Sequence, residues 1–314
     1  MADISVDYVG LRLVSPVVAA PAGTTGTADL VRIAEDNGVG AVVMRTLYPY
    51  RDDDRSRPHY ELIRHNLGAM RSTTLYSSEH AALWDSDRYA EELRVCKEHV
   101  QIPIIASIGC VRPAEWVANY AKLVEHAGAD ALELNVHCPN VVRDEGPAFV
   151  ELISEALQLV KSAVKIPVIP KMTPQLENPA FAAVAIEKAG ANGLVMFGRF
   201  TGLEIDIDHE EPVGQRAYAW HGGPWSIFYC LRWISSAAPL LGIPIAGCGG
   251  VASAEDVVKY LLAGASVVQS CTAIITQGYH VVKSMNQGLR DWMDRKGYKR
   301  LDDFRGRVAR MDLA

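Results

Sequence analysis

The chain has 314 residues, 49% of them hydrophobic and 22% charged, with a formal net charge of −6 at pH 7. That composition fills one large core, and the acidic balance excludes a sequence-blind nucleic-acid binder, which needs a basic face for phosphates. No apolar run approaches the roughly 20 residues of a membrane span, and the acidic stretch Met1 to Asp7 lacks the apolar segment of a secretory signal. The six cysteines (Cys96, Cys110, Cys138, Cys230, Cys248, Cys271) form no CxxC pair, so no bound metal, zinc or iron–sulfur, is expected. Disulfides are not expected in such a chain, and the expected location is cytoplasmic.

In chain order, short aliphatic runs with few charges recur at 16–20 (PVVAA), 41–45 (AVVMR), 103–107 (PIIAS), 131–135 (ALELN), 167–171 (PVIPK), 193–197 (GLVMF), 243–247 (IPIAG) and 266–270 (SVVQS). Bulky aliphatics without alternation suit parallel strands covered on both faces. Helical periodicity fills the intervals, as at 115–127, 149–163 and 254–263. The segments NGVGA, AGADA, AGANG and AGASV each place a glycine at a helix C-terminus and lead into a strand. QIPII, KIPVI and GIPIA open three other strands with a proline, whose missing donor is harmless there. Eight such units predict an α/β fold, a (β/α)8 TIM barrel formed by residues 1–314 as a single domain. A dinucleotide-binding open sheet would carry GxGxxG after an early strand, and none is present. Insertions at 48–85 and 198–223 follow strands 2 and 6, on the face where barrel loops carry function, and 278–304 reads as a terminal helix and short extension.

The strand ends collect unusual residues. Arg45 ends strand 2, Asn135, His137 and Cys138 follow strand 4, and Lys171 ends strand 5. Gly249 and Gly250 follow strand 7 before a helix capped by Ser253, and Ser270, Cys271 and Thr272 follow strand 8. Barrels commonly hold a phosphate between these two loops, although a glycine pair also serves simply to turn the chain. Lys171 suits an anion or a Schiff base, or reaches solvent. Cys138, beside Pro139 on a loop, suits a proton carrier, with His137 as its activator, or is an inert small hydrophobe. The acidic run 204–211 (EIDIDHEE) carries enough carboxylates to hold a cation, but reads first as a solvated loop.

The segments ELNVHCPN (133–140), IPKMTP (169–174), GCGGVASAEDVVKYLLAGASVVQSCTA (247–273) and KGYKRLDDFRGR (296–307) together resemble the dihydroorotate dehydrogenase family. SPVVAAPAGTT, VVMRTL and YELI point to its dihydropyrimidine dehydrogenase branch, and the resemblance runs from about residue 8 to 307. It implies an FMN-containing barrel in which hydride passes through flavin N5 while a loop cysteine moves the matching proton. By the resemblance Cys138 is the acid/base, Asn135 contacts flavin or substrate, and Lys171 stabilises the anionic edge of the reduced flavin. Ala20 and Gly23 would line the flavin, and Gly249, Gly250, Ser270 and Thr272 would cradle its phosphate. Four positions depart from the family pattern: Arg45 replaces a lysine, His137 a serine, His59 an asparagine, and Phe197–Gly198 stand where a pyrimidine-binding asparagine belongs. Asn140 is retained, and Arg45, Arg199 and His59 favour an anionic or carbonyl-bearing substrate.

The expected function is therefore an FMN-dependent oxidoreductase acting on a CH–CH bond beside a carbonyl, with an altered substrate. The alternatives are a genuine dihydroorotate or dihydropyrimidine dehydrogenase, a Schiff-base aldolase using Lys171, and a non-catalytic flavin electron-transfer subunit. The expected electron partner is a soluble molecule or a separate subunit, and the family resemblance makes a homodimer plausible.

Overall fold

The computed structural model describes residues 2–48, 59–67, 70–78, 84–110, 115–136, 149–213 and 219–309. Eight parallel strands close into a barrel: β3 (Val17–Ala19), β4 (Ala41–Val43), β7 (Ile104–Cys110), β8 (Ala131–Val136), β9 (Val168–Met172), β10 (Leu194–Met196), β15 (Ile245–Cys248) and β16 (Val267–Ser270). They are neighbours in chain order, and β16 closes on β3 through Val268↔Val17 and Ser270↔Ala19. Each expected strand is present, and the fold is a (β/α)8 barrel.

Helices α1 (Ala28–Asp36), α2 (Ser86–His99), α3 (Glu115–His126), α4 (Phe149–Ala163), α5 (Pro179–Lys188), α6 (Ile227–Ala237), α7 (Ala254–Ala263), α8 (Thr272–Gln277) and α9 (His280–Lys296) surround it. Side-chain caps begin several of them: Thr27, Asp85, Asn178 and Ser253 each accept a backbone N–H from the first turn. Gly264 ends α7 in the left-handed region at φ 109°, a conformation other residues adopt only with strain.

The recurring proline-led strands have a structural cause. Glu35 Oε1 accepts from the N–H groups of Gln101 and Ile102 (2.7 and 3.1 Å), and Glu125 Oε1 from those of Lys165 and Ile166 (2.6 and 3.0 Å). Glu187 Oε1 accepts from Gly242 at 2.7 Å. Each glutamate belongs to the end of a helix and satisfies the backbone donors before Pro103, Pro167 or Pro244. The same device thus ties three helices to strands that do not follow them directly.

The two insertions do not remain separate loops. β5 (His59–Leu67) and β6 (Met70–Ser78) form an antiparallel hairpin in the first. The second contains β11 (Phe200–Gly202), the small pair β12 (Ile205–Asp206) and β13 (Glu211–Pro212), and β14 (Ala219–Gly222). β14 pairs with both β11 and β6, giving one sheet in the order β11-β14-β6-β5. Trp225 Nε1 donates to Thr74 Oγ1 at 3.2 Å beside that junction. The acidic run therefore includes a β-turn ribbon rather than loop alone, with Ile205 and Ile207 exposed.

A hairpin of β1 (Val6–Tyr8) and β2 (Leu11–Leu13) packs at the opposite end. Gly193, just before β10, has room for no side chain, because a Cβ there would lie 2.7 Å from Val9 Cγ1. Helix α9 is anchored by Asn286, which accepts from Ser15 Oγ (2.7 Å) and donates to the Gly38 carbonyl (2.7 Å).

Candidate active site

Alternation along a strand sends Glu133 and Asn135 of β8 to the same face. Glu133 meets Lys171 from β9 and Gln269 from β16 in the barrel interior. Lys171 Nζ donates to Glu133 Oε1 at 3.2 Å and to Gln269 Oε1 at 2.8 Å, and Gln269 Nε2 donates to Glu133 Oε2 at 2.6 Å. All three residues are at most 5% exposed. Burial is the largest influence and would lower the Lys171 pKa, but the charge and hydrogen bond of Glu133, with Cys248 and Cys271, together reverse it, and the net shift is upward. Lys171 is therefore a fixed ammonium. It neither reaches solvent nor offers the free amine that a Schiff base requires.

Two cavities open around this triad. The larger, about 360 Å³, lies between the loops after β15 and β16 and the start of α6, lined by Gly222, Gly223, Gly249, Gly250, Thr272 and Leu62 among others. The smaller, about 80 Å³, lies over Lys171 and Asn135 and is walled by Ala20, Pro21, Thr46, Tyr48 and Thr173. Gly198, Arg199, Cys248 and Cys271 border both, so the two adjoin. No described carboxylate lines either wall, whereas Arg199 lines both and Lys171 the smaller. The pair suits an elongated anion with a flat polar end at the lysine.

The glycines explain how the backbone comes so close. Gly249 and Gly250 adopt φ 117° and 71°, and a Cβ would lie 2.7 Å from Cys230 Sγ at the first and 2.9 Å from Ile227 N at the second. Tyr260 Oη donates to the Gly249 carbonyl at 2.5 Å and holds the turn from behind. At Gly222 a Cβ would reach 3.2 Å from Arg199 Cδ and 3.7 Å from Thr272 Oγ1, closing the gap between the facing loops. This carboxylate-free, glycine-lined hollow fits a phosphate monoester, and the ammonium in the adjoining slot fits the electron-rich edge of a flavin. Burial pushes up the thiol pKa of Cys248, and that of Cys230 to about 12, so both stay protonated at neutral pH.

The residues singled out from the sequence distribute unevenly. Gly249, Gly250 and Thr272 line the larger cavity, and Ala20, Asn135 and Lys171 the smaller. Ser270 lies behind the wall, where its hydroxyl donates to the Val251 carbonyl at 3.0 Å and joins the two loops. Gly23 sits in the turn Gly23–Thr25 and lines neither cavity. Arg45 is 9% exposed past β4, its backbone N–H donating to the Thr25 carbonyl at 3.3 Å. Phe197 borders the larger cavity but is fully buried, its ring 5.6 Å from that of Tyr229. His59 pairs with Ser78 in the β5–β6 hairpin. His137, Cys138 and Asn140 lie outside the described residues. Sequence reasoning passed over Glu133, Gln269, Gly222 and Gly223. A lone glutamate in ALELN and a lone glutamine in SVVQS, at inward positions of aliphatic strands, were the available signal for the first two.

The sequence profile of the family described as Dihydroorotate dehydrogenase matches residues 3–293. Dihydroorotate dehydrogenase A (fumarate) of Limosilactobacillus reuteri (strain DSM 20016) is 33% identical over 308 residues, covering 96% of each chain. Dihydroorotate dehydrogenase B (NAD(+)), catalytic subunit, of Methanosarcina acetivorans is 31% identical over 308 residues, covering 96% of this chain and 94% of that one. The protein of the same name from Pyrococcus abyssi is 29% identical over 309 residues, covering 96% and 98%. With the barrel, the glycine-lined hollow and the buried ammonium, this similarity along the length of the chain shows that the protein belongs to the dihydroorotate dehydrogenase family, the FMN-dependent oxidoreductases acting on CH–CH bonds.

Proposed function

We propose that the protein oxidises or reduces a C–C bond adjacent to a carbonyl in an anionic substrate other than the family's dihydropyrimidines. The observation that carries the substrate half of this reading is the wall of the smaller cavity. Among the described residues it offers one side-chain amide, Asn135, and two cations, Lys171 and Arg199. A pyrimidine's diamide edge needs several matched amides, and each buried partner left unmatched costs about 1–3 kcal/mol. Phe197, packed on Tyr229 at the end of β10, supplies no such group.

Bound FMN supplies the hydride chemistry. Gly222, Gly249, Gly250 and Thr272 hold its phosphate, and Lys171 presents an N–H to its anionic edge. Asn135 orients the reacting carbonyl, with Arg45, His59, Asn140 and Arg199 around the substrate. Cys138 carries the proton at the carbon next to the one that exchanges hydride, and His137 assists it. Electrons leave to, or arrive from, a soluble acceptor or a separate subunit. The relatives' names, which give fumarate for one and NAD(+) for others, support both routes.

The test is anaerobic bleaching of the purified yellow protein against a panel of saturated carboxylates and carbonyl compounds. Dihydroorotate, dihydrouracil and dihydrothymine are expected to reduce it poorly. Rapid bleaching by dihydroorotate would establish the second reading, a genuine dihydroorotate dehydrogenase, which the relatives' names favour. In the same assay Cys138→Ala is expected to stay folded and yellow while the substrate-linked step slows by about 10²–10⁴-fold. A normal rate with lowered thermal stability would reduce Cys138 to packing.

A further inference from the structure

The triad beneath the smaller cavity has a polarity that only certain side chains can reproduce. Lys171 donates to one oxygen of Glu133 and to the oxygen of Gln269, and the Gln269 amide donates to the other oxygen of Glu133. The carboxylate thus fixes which way the glutamine amide faces, and the two acceptors fix the ammonium. Of the three N–H donors on Lys171, two are held from within the barrel, which leaves the third for the cavity that Lys171 lines.

We propose that Glu133 and Gln269 are positioning residues that clamp Lys171 with one N–H turned to the cavity and set how much positive charge a bound flavin experiences there. This rests on the flavin reading of the site. The donor pattern gives it a sharp signature. Around a charged lysine, an amide at position 133 beside the amide at 269 cannot close the ring of hydrogen bonds, because every orientation sets one N–H2 against another donor. Exchanging the two residues, Glu133→Gln with Gln269→Glu, restores all three hydrogen bonds and the net charge.

Loss of the carboxylate also changes the charge on the lysine. Burial is the largest influence on Lys171 and acts against the ammonium; Glu133 is the main group that opposes it. Without Glu133 the lysine pKa falls towards neutrality. Among the described residues, the other titratable groups around the pair are Cys248 and Cys271 beside Lys171, Arg199 beside Cys248, and Tyr8 and Tyr89 beside Glu133. Burial raises the pKa values of Cys248, Tyr8 and Tyr89, which keeps them neutral through the range tested.

The experiment is sulfite titration of the FMN-loaded protein. Sulfite adds its electron pair to flavin N5 and leaves negative charge at the N1–O2 edge, so its affinity reports the positive charge there. The ratio of dissociation constants, variant to wild type, is taken at each pH so that sulfite's own ionisation cancels. For Glu133→Gln the expected ratio favours the variant by on the order of tenfold at about pH 6, where the lysine is charged and unneutralised, and that gain vanishes by about pH 9. The exchanged double variant is expected to restore a flat ratio near unity, together with thermal stability and FMN affinity of the reconstituted apo-protein. A flat ratio for Glu133→Gln, or a double variant no better than the worse single one, overturns the clamp. Purified protein that contains and binds no FMN overturns the flavin reading instead. The clamp is then judged on thermal stability, where failure of the exchange to rescue the single variants overturns it.

Discussion

Thr272 shows what one side chain contributes when its neighbours have none. It lines the larger cavity beside five glycines, and its hydroxyl sits 3.7 Å from where a Cβ at Gly222 would stand. Thr272→Asp places a carboxylate in this anion site without straining the left-handed backbone at Gly249 and Gly250. Its expected product is folded, largely colourless protein, measured as FMN released per chain on denaturation. Full FMN content in that variant would move the phosphate elsewhere. Lys171 behaves differently, because its raised pKa keeps it charged through neutral pH. Its stabilising contribution is fully present below the unfolded lysine value of about 10.4 and is lost only as pH rises through the folded value. This lysine therefore adds no slope to the stability profile between about pH 6 and 9. Much of the site was legible at this scale. The glycine pair and the lysine at a strand end are local signals, and Gly249, Gly250 and Lys171 line the cavities, whereas Cys138 lies outside the described residues. Glu133 and Gln269 were not legible as a unit, because a hydrogen bond between residues 136 positions apart leaves no spacing to count.

At the scale of elements, the three helix-terminal glutamates account for a repeat visible only in part. The proline-led strands stood out in the sequence, but the carboxylates that serve them lie far upstream, 40 residues before Lys165 in the case of Glu125. Glu125→Ala removes one acceptor from two backbone donors and is expected to destabilise the fold by about 1–2 kcal/mol. The check is a lower urea midpoint with an unchanged slope and unchanged FMN content. An unchanged midpoint would show that water replaces the carboxylate at no cost. The barrel strands were legible because buried parallel strands are aliphatic runs bounded by glycine and proline. The sheet above the barrel was not. Its strands mix polar and apolar residues without a continuous aliphatic run, and β6 finds its second neighbour in an insertion four barrel strands later.

For the whole molecule, that sheet makes the two halves of the barrel interdependent. One edge comes from the segment after β4 and the other from the segment after β10, and Leu62, Phe200 and His221 of its strands border the larger cavity. Its order also imposes a schedule on synthesis. Thr74 leaves the ribosome 151 residues before its partner Trp225. At about 5–20 residues per second, the β5–β6 hairpin waits roughly 8–30 seconds with one strand edge unpaired. Through that interval it is the kind of exposed edge that invites pairing with another nascent chain on the same messenger. The expected signature is protease cleavage within residues 59–78 on ribosomes stalled before β14 emerges, and protection once α6 has cleared the exit tunnel. Equal protection at both stages would mean that the hairpin finds cover earlier. Otherwise, slowing translation between the two insertions would lower the yield of folded protein while leaving the finished molecule's stability unchanged.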